Sequence, residues 1–339
     1  MQQEITTSEL LLNDNGTLAQ KGYARRLLPI YNREKIGVPW YRIKEWDYYC
    51  ILNPEFGISL TVADNGYMGL YAANVFDFNK CVEFPFATIE LFTRGKLNLP
   101  LSSETGNTVV NHDKAKIKFT KETDKRILKF DFPKFDKENS LKGEIVLKEL
   151  NQDSMVIVTP FKESNYNFYF NHKINNLVAE GSFVFRGKEF EFKKEDSFGV
   201  LDWGRGVWSY KNRWYWGSLS GMIEGKSFGF NIGYGFGDTS AASENMLFYD
   251  GKAHKLDEVK FHIDTNNYML PWMFTSNDGR FEMKFEPSID RHSKTDLLLL
   301  KSIQHQVFGY FTGKVILDDG KVLIVNRLLG FAEDVLNYW

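Results

Sequence analysis

The sequence predicts an all-β protein built from two packed antiparallel domains. Three observations carry this expectation. The composition is aromatic, with 16% Phe, Tyr and Trp in 339 residues and little alanine, and aromatic residues favour pleated, half-buried surfaces. Apolar and polar residues alternate in short runs bounded by turn residues, and helical periodicity is weak throughout. Segments of the first half also reappear, in order, in the second half.

The elements follow in chain order. Residues 1–40 are mixed. A short helical turn is expected over 8–12, a turn over 13–16, and an apolar patch at 27–31 among Arg25, Arg26 and Arg33. This stretch reads as an arm packed across a body. From Arg42 onward strands dominate. Residues 58–62 alternate, Asp64-Asn65-Gly66 turns, and 67–73 run apolar. Residues 115–119 and 126–132 alternate with period two. Residues 141–150 and 154–160 read as another pair. Residues 181–185 and 189–192 flank Arg186-Gly187-Lys188 as a hairpin, and 313–317 and 322–325 flank Asp318-Asp319-Gly320 in the same way. The best helical candidate is short, at 239–246.

The repeat rests on collinear matches. Leu60 and Gly66 match Leu219 and Gly225 at an offset of 159. The hexapeptides that begin at Leu91 and Leu247 resemble one another at an offset of 156. The strand from Arg126 matches that from Arg280 at 154, and His172 with Gly187-Lys188 matches His305 with Gly320-Lys321 at 133. The offset falls steadily, as it does when a second copy has shorter loops. The expected division is an arm over 1–40, a first β domain over 41–194 and a second over 195–339.

Charge and motif content narrow the function classes. The net charge of −2 gives no electrostatic reason to expect nucleic acid or an anionic membrane as partner. There is no apolar run of about 18 residues and no basic, apolar leader, so a soluble, cytoplasmic protein without membrane insertion is expected. Cys50 and Cys81 read as small buried thiols. The six histidines show no metal-ligand spacing. No Gly-x-Ser-x-Gly elbow occurs. The Gly-rich run 229–238 lacks the βαβ setting that dinucleotide binding needs. No metal and no cofactor are expected. The oligomeric state is left open.

The stretch 199–221 is the candidate site. It holds Trp203, Trp208, Trp214 and Trp216, four of the eight tryptophans, among Asp202, Arg205, Lys211 and Arg213. A buried indole seeks a partner for its N–H, and a buried Asp or Arg is costly without a partner. On the duplicated-domain reading this stretch lies at the seam, where ligand sites concentrate.

The run Phe198-Gly199-Val200-Leu201-Asp202-Trp203-Gly204-Arg205-Gly206-Val207-Trp208, followed by Trp214-Tyr215-Trp216-Gly217, resembles the signature of a bacterial family of unknown function. The resemblance continues through Asn231–Ser240 with Glu244-Asn245, through His305-Gln306-Val307-Phe308-Gly309, and into the tail Gly330-Phe331-Ala332-Glu333-Asp334-Val335. More distantly, the order of Gly, Asp, Trp-x-Trp, Gly-rich strands and Pro271-Trp272 is similar to the tandem-lipocalin proteins, which include carotenoid 1,2-hydratase (hydroxyneurosporene synthase) and some fungal Diels–Alderases. That resemblance implies two lipocalin-like β-barrels and an Asp, at the position of Asp202, that handles a proton in an aromatic cavity. The sequence departs from the hydratase motif in placing Trp203, not His, after that Asp.

The residues themselves allow several roles. Asp202 among indoles suits proton transfer, with Arg205 to orient it or to clamp an anion. Its alternative is a buried Asp–Arg pair that fixes the seam. Trp214 and Trp216 share one face of a strand and suit an aromatic wall, while Trp208 suits either core or wall. Asn231 shares a face with Gly233 and Gly235, which leaves room for a ligand. Asp238 and Glu244 offer a second carboxylate, and Asp238 also suits a helix cap. The expected function is a cofactor-independent lyase, hydratase or isomerase acting at Asp202 on a small, partly apolar molecule. The alternatives are a carbohydrate-active enzyme, a non-catalytic small-molecule-binding protein and a purely structural junction.

Overall fold

In the computed structural model, residues 2–297 and 300–338 are described; Met1, Leu298, Leu299 and Trp339 lie outside them. Among the described residues, two antiparallel sheets carry about two thirds of the chain. The first contains β1 (Gly22–Ala24), β2 (Lys44–Leu52), β3 (Phe56–Asp64), β4 (Met68–Asp77), β5 (Val82–Leu91), β6 (Asn107–His112), β7 (Ala115–Lys121), β8 (Lys125–Asp136), β9 (Asn139–Lys148), β10 (Met155–Phe161), β11 (Ser164–Phe185), β12 (Lys188–Phe192) and β13 (Phe198–Val207). The second contains β14 (Lys211–Ile223), β15 (Lys226–Tyr234), β16 (Met246–Tyr249), β17 (Lys252–Lys255), β18 (Val259–His262), β19 (Trp272–Ser276), β20 (Phe281–Leu297), β21 (Leu300–Ile316) and β22 (Val322–Tyr338).

Each sheet pairs its first long strand with its last. The first runs β5-β4-β3-β2-β13-β11-β9-β8-β7-β6, and the second β17-β16-β15-β14-β22-β21-β20-β19-β18. Each sheet also curls until its distant strands meet. Phe86 on β5 packs against Phe132 and Phe135 at the β8 side, and Phe261 on β18 packs against Tyr215 and Tyr234 on β14 and β15. The result is two tandem lipocalin-like barrels. Both interiors are filled with side chains, Phe119, Phe130 and Phe170 among those of the first, Phe230, Phe285 and Phe311 among those of the second. Burying each such ring stabilises the fold by roughly 1.5–3 kcal/mol.

The shared strand order locates the repeat in space. Counting outward from β2·β13 and β14·β22, β11 corresponds to β21, and these strands hold His172 and His305. The matches at Leu60, Leu91 and Arg126 fall one strand out of phase with that correspondence. The strand that carries the signature, β13, is hydrogen-bonded between β2 and β11 of the first sheet, and the second sheet begins at β14. The arm touches both sheets: β1 pairs with β10, Gln3 N–H donates to the Ala241 carbonyl (2.7 Å) and Gln2 Nε2 donates to the Leu256 carbonyl (2.9 Å).

The expected hairpins over 181–192 and 313–325 are present, as are the pairings of 58–62 with the following apolar run and of 115–119 with 126–132. Four expectations are corrected. Strands β9 and β10 do not pair with each other; β9 lies between β8 and β11, while β10 lies between β1 and β11. Residues 239–246 form no helix, because Gly235 and Gly237 take positive φ (91° and 80°) and Asp238 Oδ1 accepts from Ser240 N–H (3.1 Å), a local bond that competes with helical pairing. Residues 8–12 likewise form bridges to Ile30 and Leu18. Cys50 is buried, but Cys81 is exposed on the turn between β4 and β5.

The barrels meet through their outward faces. One apolar cluster joins Tyr48, Cys50 and Phe76 to Trp216, Phe308 and Phe331, with the Phe76 and Phe308 rings 4.2 Å apart. A second joins Ile157, Tyr169 and Trp208 to Phe236, Met246 and Phe248. A bulge in β11 between Ile174 and Leu177 pushes Asn175 into the second sheet, where its amide donates to Ser218 Oγ (2.9 Å), Leu219 O (3.1 Å) and Phe230 O (3.0 Å). Gly229 makes that approach possible, since a Cβ there would stand 2.6 Å from Asn176 Oδ1.

Candidate functional site

Strand alternation sorts the signature into two faces. Leu201, Trp203 and Val207 point into the first barrel and join its core. Asp202 and Trp208 point outward, toward the second barrel. Gly204, between them, leaves room for Trp46 of β2, its cross-strand neighbour; a Cβ on Gly204 would stand 2.1 Å from the Trp46 ring. Trp46 thus lies flat over the strand, stacked on Tyr169 (6.1 Å, 14°) and edge-on to Trp208 (5.1 Å).

Between the two outward faces lies a cavity of about 210 Å³. Its aromatic wall is Trp46, Trp208, Trp214, Trp216, Tyr169 and Phe236. Its deep row is charged. Asp202 accepts a hydrogen bond from Asn171 Nδ2. The Lys173 ammonium, on the neighbouring strand, lies 3.2 Å from Asp202 Oδ1, 4.0 Å from Glu244 Oε2 and 4.0 Å above the Trp216 ring. Glu333 on β22 accepts from Trp214 Nε1 at 2.9 Å. Burial pushes the Glu244 carboxyl up to about 7, with Asp202 adding to the rise and Lys173 and Lys255 opposing it. Burial likewise pushes Glu333 up to about 7, against the Trp214 bond and the Lys173 charge. Burial raises the Tyr169 hydroxyl well above its usual range, helped by the neighbouring carboxyls.

The expected site residues fall into three groups. Asp202, Trp208, Trp214, Trp216 and Glu244 line the cavity. Asn231 stands behind the wall, where it accepts from Trp216 Nε1 (2.6 Å) and donates to the Glu244 backbone carbonyl (2.6 Å), so it holds the Trp216 ring and the Glu244 backbone without facing the cavity. Arg205 and Asp238 are elsewhere. Three residues from Asp202 on a strand, Arg205 points into the first barrel. It is fully buried there, donating to Asp47 Oδ1 (3.0 Å), Pro100 O (2.9 Å) and Trp46 O (2.8 Å), with its guanidinium 4.1 Å from the Trp203 ring centroid. Asp238 sits on a half-exposed turn and caps Ser240.

The cation that faces Asp202 is therefore Lys173, and the further carboxyl is Glu333. Neither was singled out in the sequence. Lys173 lies in a strand with an unusual polar run, Asn171-His172-Lys173-Ile174-Asn175-Asn176, which was its available signal. Glu333 lies in the tail that carries the family resemblance. Arg291, Gln304, Gln306, Tyr48 and Asn337 add to the polar lining. His172 serves the first barrel: its ring bonds Ser103 Oγ (2.6 Å) and Ser154 Oγ (2.7 Å), and burial pulls it down to about 3. Among the described residues no group of three or more His, Cys, Asp or Glu is arranged to hold a metal ion, and no helix is long and apolar enough to cross a membrane.

Two curled sheets with a polar, indole-walled cavity between them define a tandem lipocalin-like protein. The chain belongs to the family described as a domain of unknown function (DUF2804), whose model matches residues 2–339. No curated protein matches it. Among solved structures it is similar to CghA with Sch210972 (TM-score 0.54, 9% identity, covering 87% of this chain and 88% of that one). It is similar to an AttH-type protein from Nitrosomonas europaea (0.53, 13%, 86% and 92%) and to kievitone hydratase from Nectria haematococca (0.51, 10%, 98% and 98%). At these identities the likeness shows the fold.

Proposed function

We propose that this protein is a cofactor-independent lyase, hydratase or isomerase that moves a proton on a small, partly apolar molecule held between the barrels. The observation that carries this reading is the placement of Asp202, paired with Lys173, in the same cavity as two buried carboxyls that titrate near neutrality. A carboxyl kept protonated up to neutrality, in one cavity with a carboxylate paired to a cation, suits acid and base work.

In this reading Asp202 is the base. Its Oδ1 is already occupied by Asn171 and Lys173, so the other oxygen takes the proton, from water or from carbon. Glu333, protonated below about 7, gives a proton to the departing hydroxyl or to the alkene carbon. Trp214 holds that carboxyl in place. The indole wall takes the apolar part of the substrate and excludes water, which strengthens each charge in the row. A hydratase among the structures with the same fold supports the reaction class by analogy.

The test is a panel of conjugated alkenes and their hydrated forms, incubated with the protein in deuterated water and followed by NMR and mass spectrometry. The reading expects deuterium incorporation or a gain or loss of water with at least one compound, abolished by Asp202→Asn. Saturable binding without exchange across the panel would mean a non-catalytic binding protein.

A further inference from the structure

We propose that the ligand of this cavity is an elongated, apolar monocarboxylate, and that Arg291 receives its carboxylate. The inference rests on the reading of the cavity as the functional site and adds the substrate class. Arg291 is on β20, paired with Gln306 of β21, and lines the cavity. Its Nη1 donates to Gln306 Oε1 at 2.8 Å, and Gln306 Nε2 in turn donates to the Tyr48 hydroxyl at 3.1 Å. That chain fixes the guanidinium but uses one of its five N–H groups. Among the described residues no carboxylate stands within ion-pair distance of it, although its charge opposes the rise of the Glu83 and Glu333 carboxyls, whereas Lys173 and Arg205 are both paired directly with carboxylates.

Two more groups in the cavity are unsatisfied. The indole N–H of Trp208 and both amide atoms of Asn337 are buried without a hydrogen-bond partner, and both residues line the cavity. Buried polar groups of this kind call for a ligand oxygen or hydroxyl. Much of the remaining lining is aromatic, with Trp46, Trp214, Trp216, Tyr169 and Phe236, which fits a flat apolar body. Asp202, Glu244 and Glu333 share the cavity, so a doubly charged phosphate is disfavoured by like-charge repulsion, whereas a single carboxylate matches the planar fork of Arg291.

The probe is 4-hydroxycinnamate, compared with its uncharged amide. Each is titrated into the full chain and followed by quenching of the indoles that line the cavity. The expected result is at least tenfold tighter binding of the carboxylate, an advantage lost in Arg291→Gln and partly kept in Arg291→Lys, with the amide's affinity unchanged in both. Cooperative thermal unfolding of each variant verifies that it is folded. Equal binding of the two probes, no saturable quenching by either, or a preference that survives Arg291→Gln would each overturn the proposal. Asp202→Asn separates it from the proton-transfer reading. A carboxylate preference kept in that variant, with no proton exchange even in the parent, leaves the ligand class standing and removes the chemistry.

Discussion

Asp202 and Glu333 occupy corresponding places in the two barrels. Asp202 lies on β13 with Tyr48 and Lys173 as its cross-strand neighbours, and Glu333 lies on β22 with Trp216 and Gln306 as its own. Each strand closes its sheet, and each follows the same order from a glycine, Gly199-Val200-Leu201-Asp202 and Gly330-Phe331-Ala332-Glu333. The barrels face one another, so their shared strand order brings the two carboxyls into one cavity. The neighbours differ: Lys173 stands beside Asp202, whereas Gln306 takes the equivalent place beside Glu333. This asymmetry gives one carboxyl a close cationic partner and leaves the other to burial.

A pH dependence follows from Glu333. Its carboxyl loses its proton near 4.5 in an unfolded chain and near 7 in the fold. Between those values the folded chain binds more protons than the unfolded chain, so stability falls as pH rises, by on the order of 1.4 kcal/mol per pH unit for one group. Glu333→Gln removes this contribution. The variant gains stability relative to the parent as pH rises from 5 to 8 in urea unfolding, and its turnover falls at every pH because the proton donor is gone. A stability difference that stays constant with pH refutes the assignment.

Lys173 and Asp202 are coupled, and the coupling is measurable. Both are buried, so neutralising one strands the other. Lys173→Met and Asp202→Asn each lower stability, and the double variant recovers part of the loss, with an interaction energy of about 1–3 kcal/mol in a double-mutant cycle. Additive losses would show that Glu244, at 4.0 Å, holds the ammonium instead.

Gly204 is required by Trp46. An added methyl would stand 2.1 Å from the indole, which has Tyr169 stacked beside it and so no free direction to move except into the cavity. Gly204→Ala costs about 1–3 kcal/mol by overpacking and abolishes probe quenching. Urea unfolding and the near-ultraviolet circular dichroism of the indoles check both.

The strand grammar of this chain is legible because each barrel strand has one buried and one outward face, which writes period two into the sequence. The aromatic wall is legible for the same reason, since Trp214 and Trp216 are two apart. What is hidden is contact between strands distant in sequence. Lys173 meets Asp202 only because β11 and β13 are neighbours, and nothing within the signature announces that pairing. Glu244 and Asp238 look alike on paper as carboxylates after the Gly-rich run. The turn at Gly235 and Gly237 leaves Asp238 half-exposed and lets the chain return with Glu244 beside Lys173 in the cavity. The repeat is legible in outline, but its matches at Leu60, Leu91 and Arg126 lock onto common turn dipeptides, and only His172 and His305 fall on corresponding strands.

Arg205 separates structure from chemistry within the signature. It faces the first barrel, where Asp47 and Glu45 depend on it: Asp47 also accepts from Thr108 Oγ1, and Glu45 accepts from the Tyr31 hydroxyl at 2.9 Å. Arg205→Met leaves two buried carboxylates without this cation and costs roughly 3–5 kcal/mol. The charged row around Asp202 is on the opposite face of β13, so the molecules that remain folded keep the parent turnover and pH profile. Denaturant unfolding gives the first quantity, and turnover normalised to the folded fraction gives the second. A variant of unchanged stability whose turnover falls a hundredfold would move Arg205 from the barrel framework into the reaction.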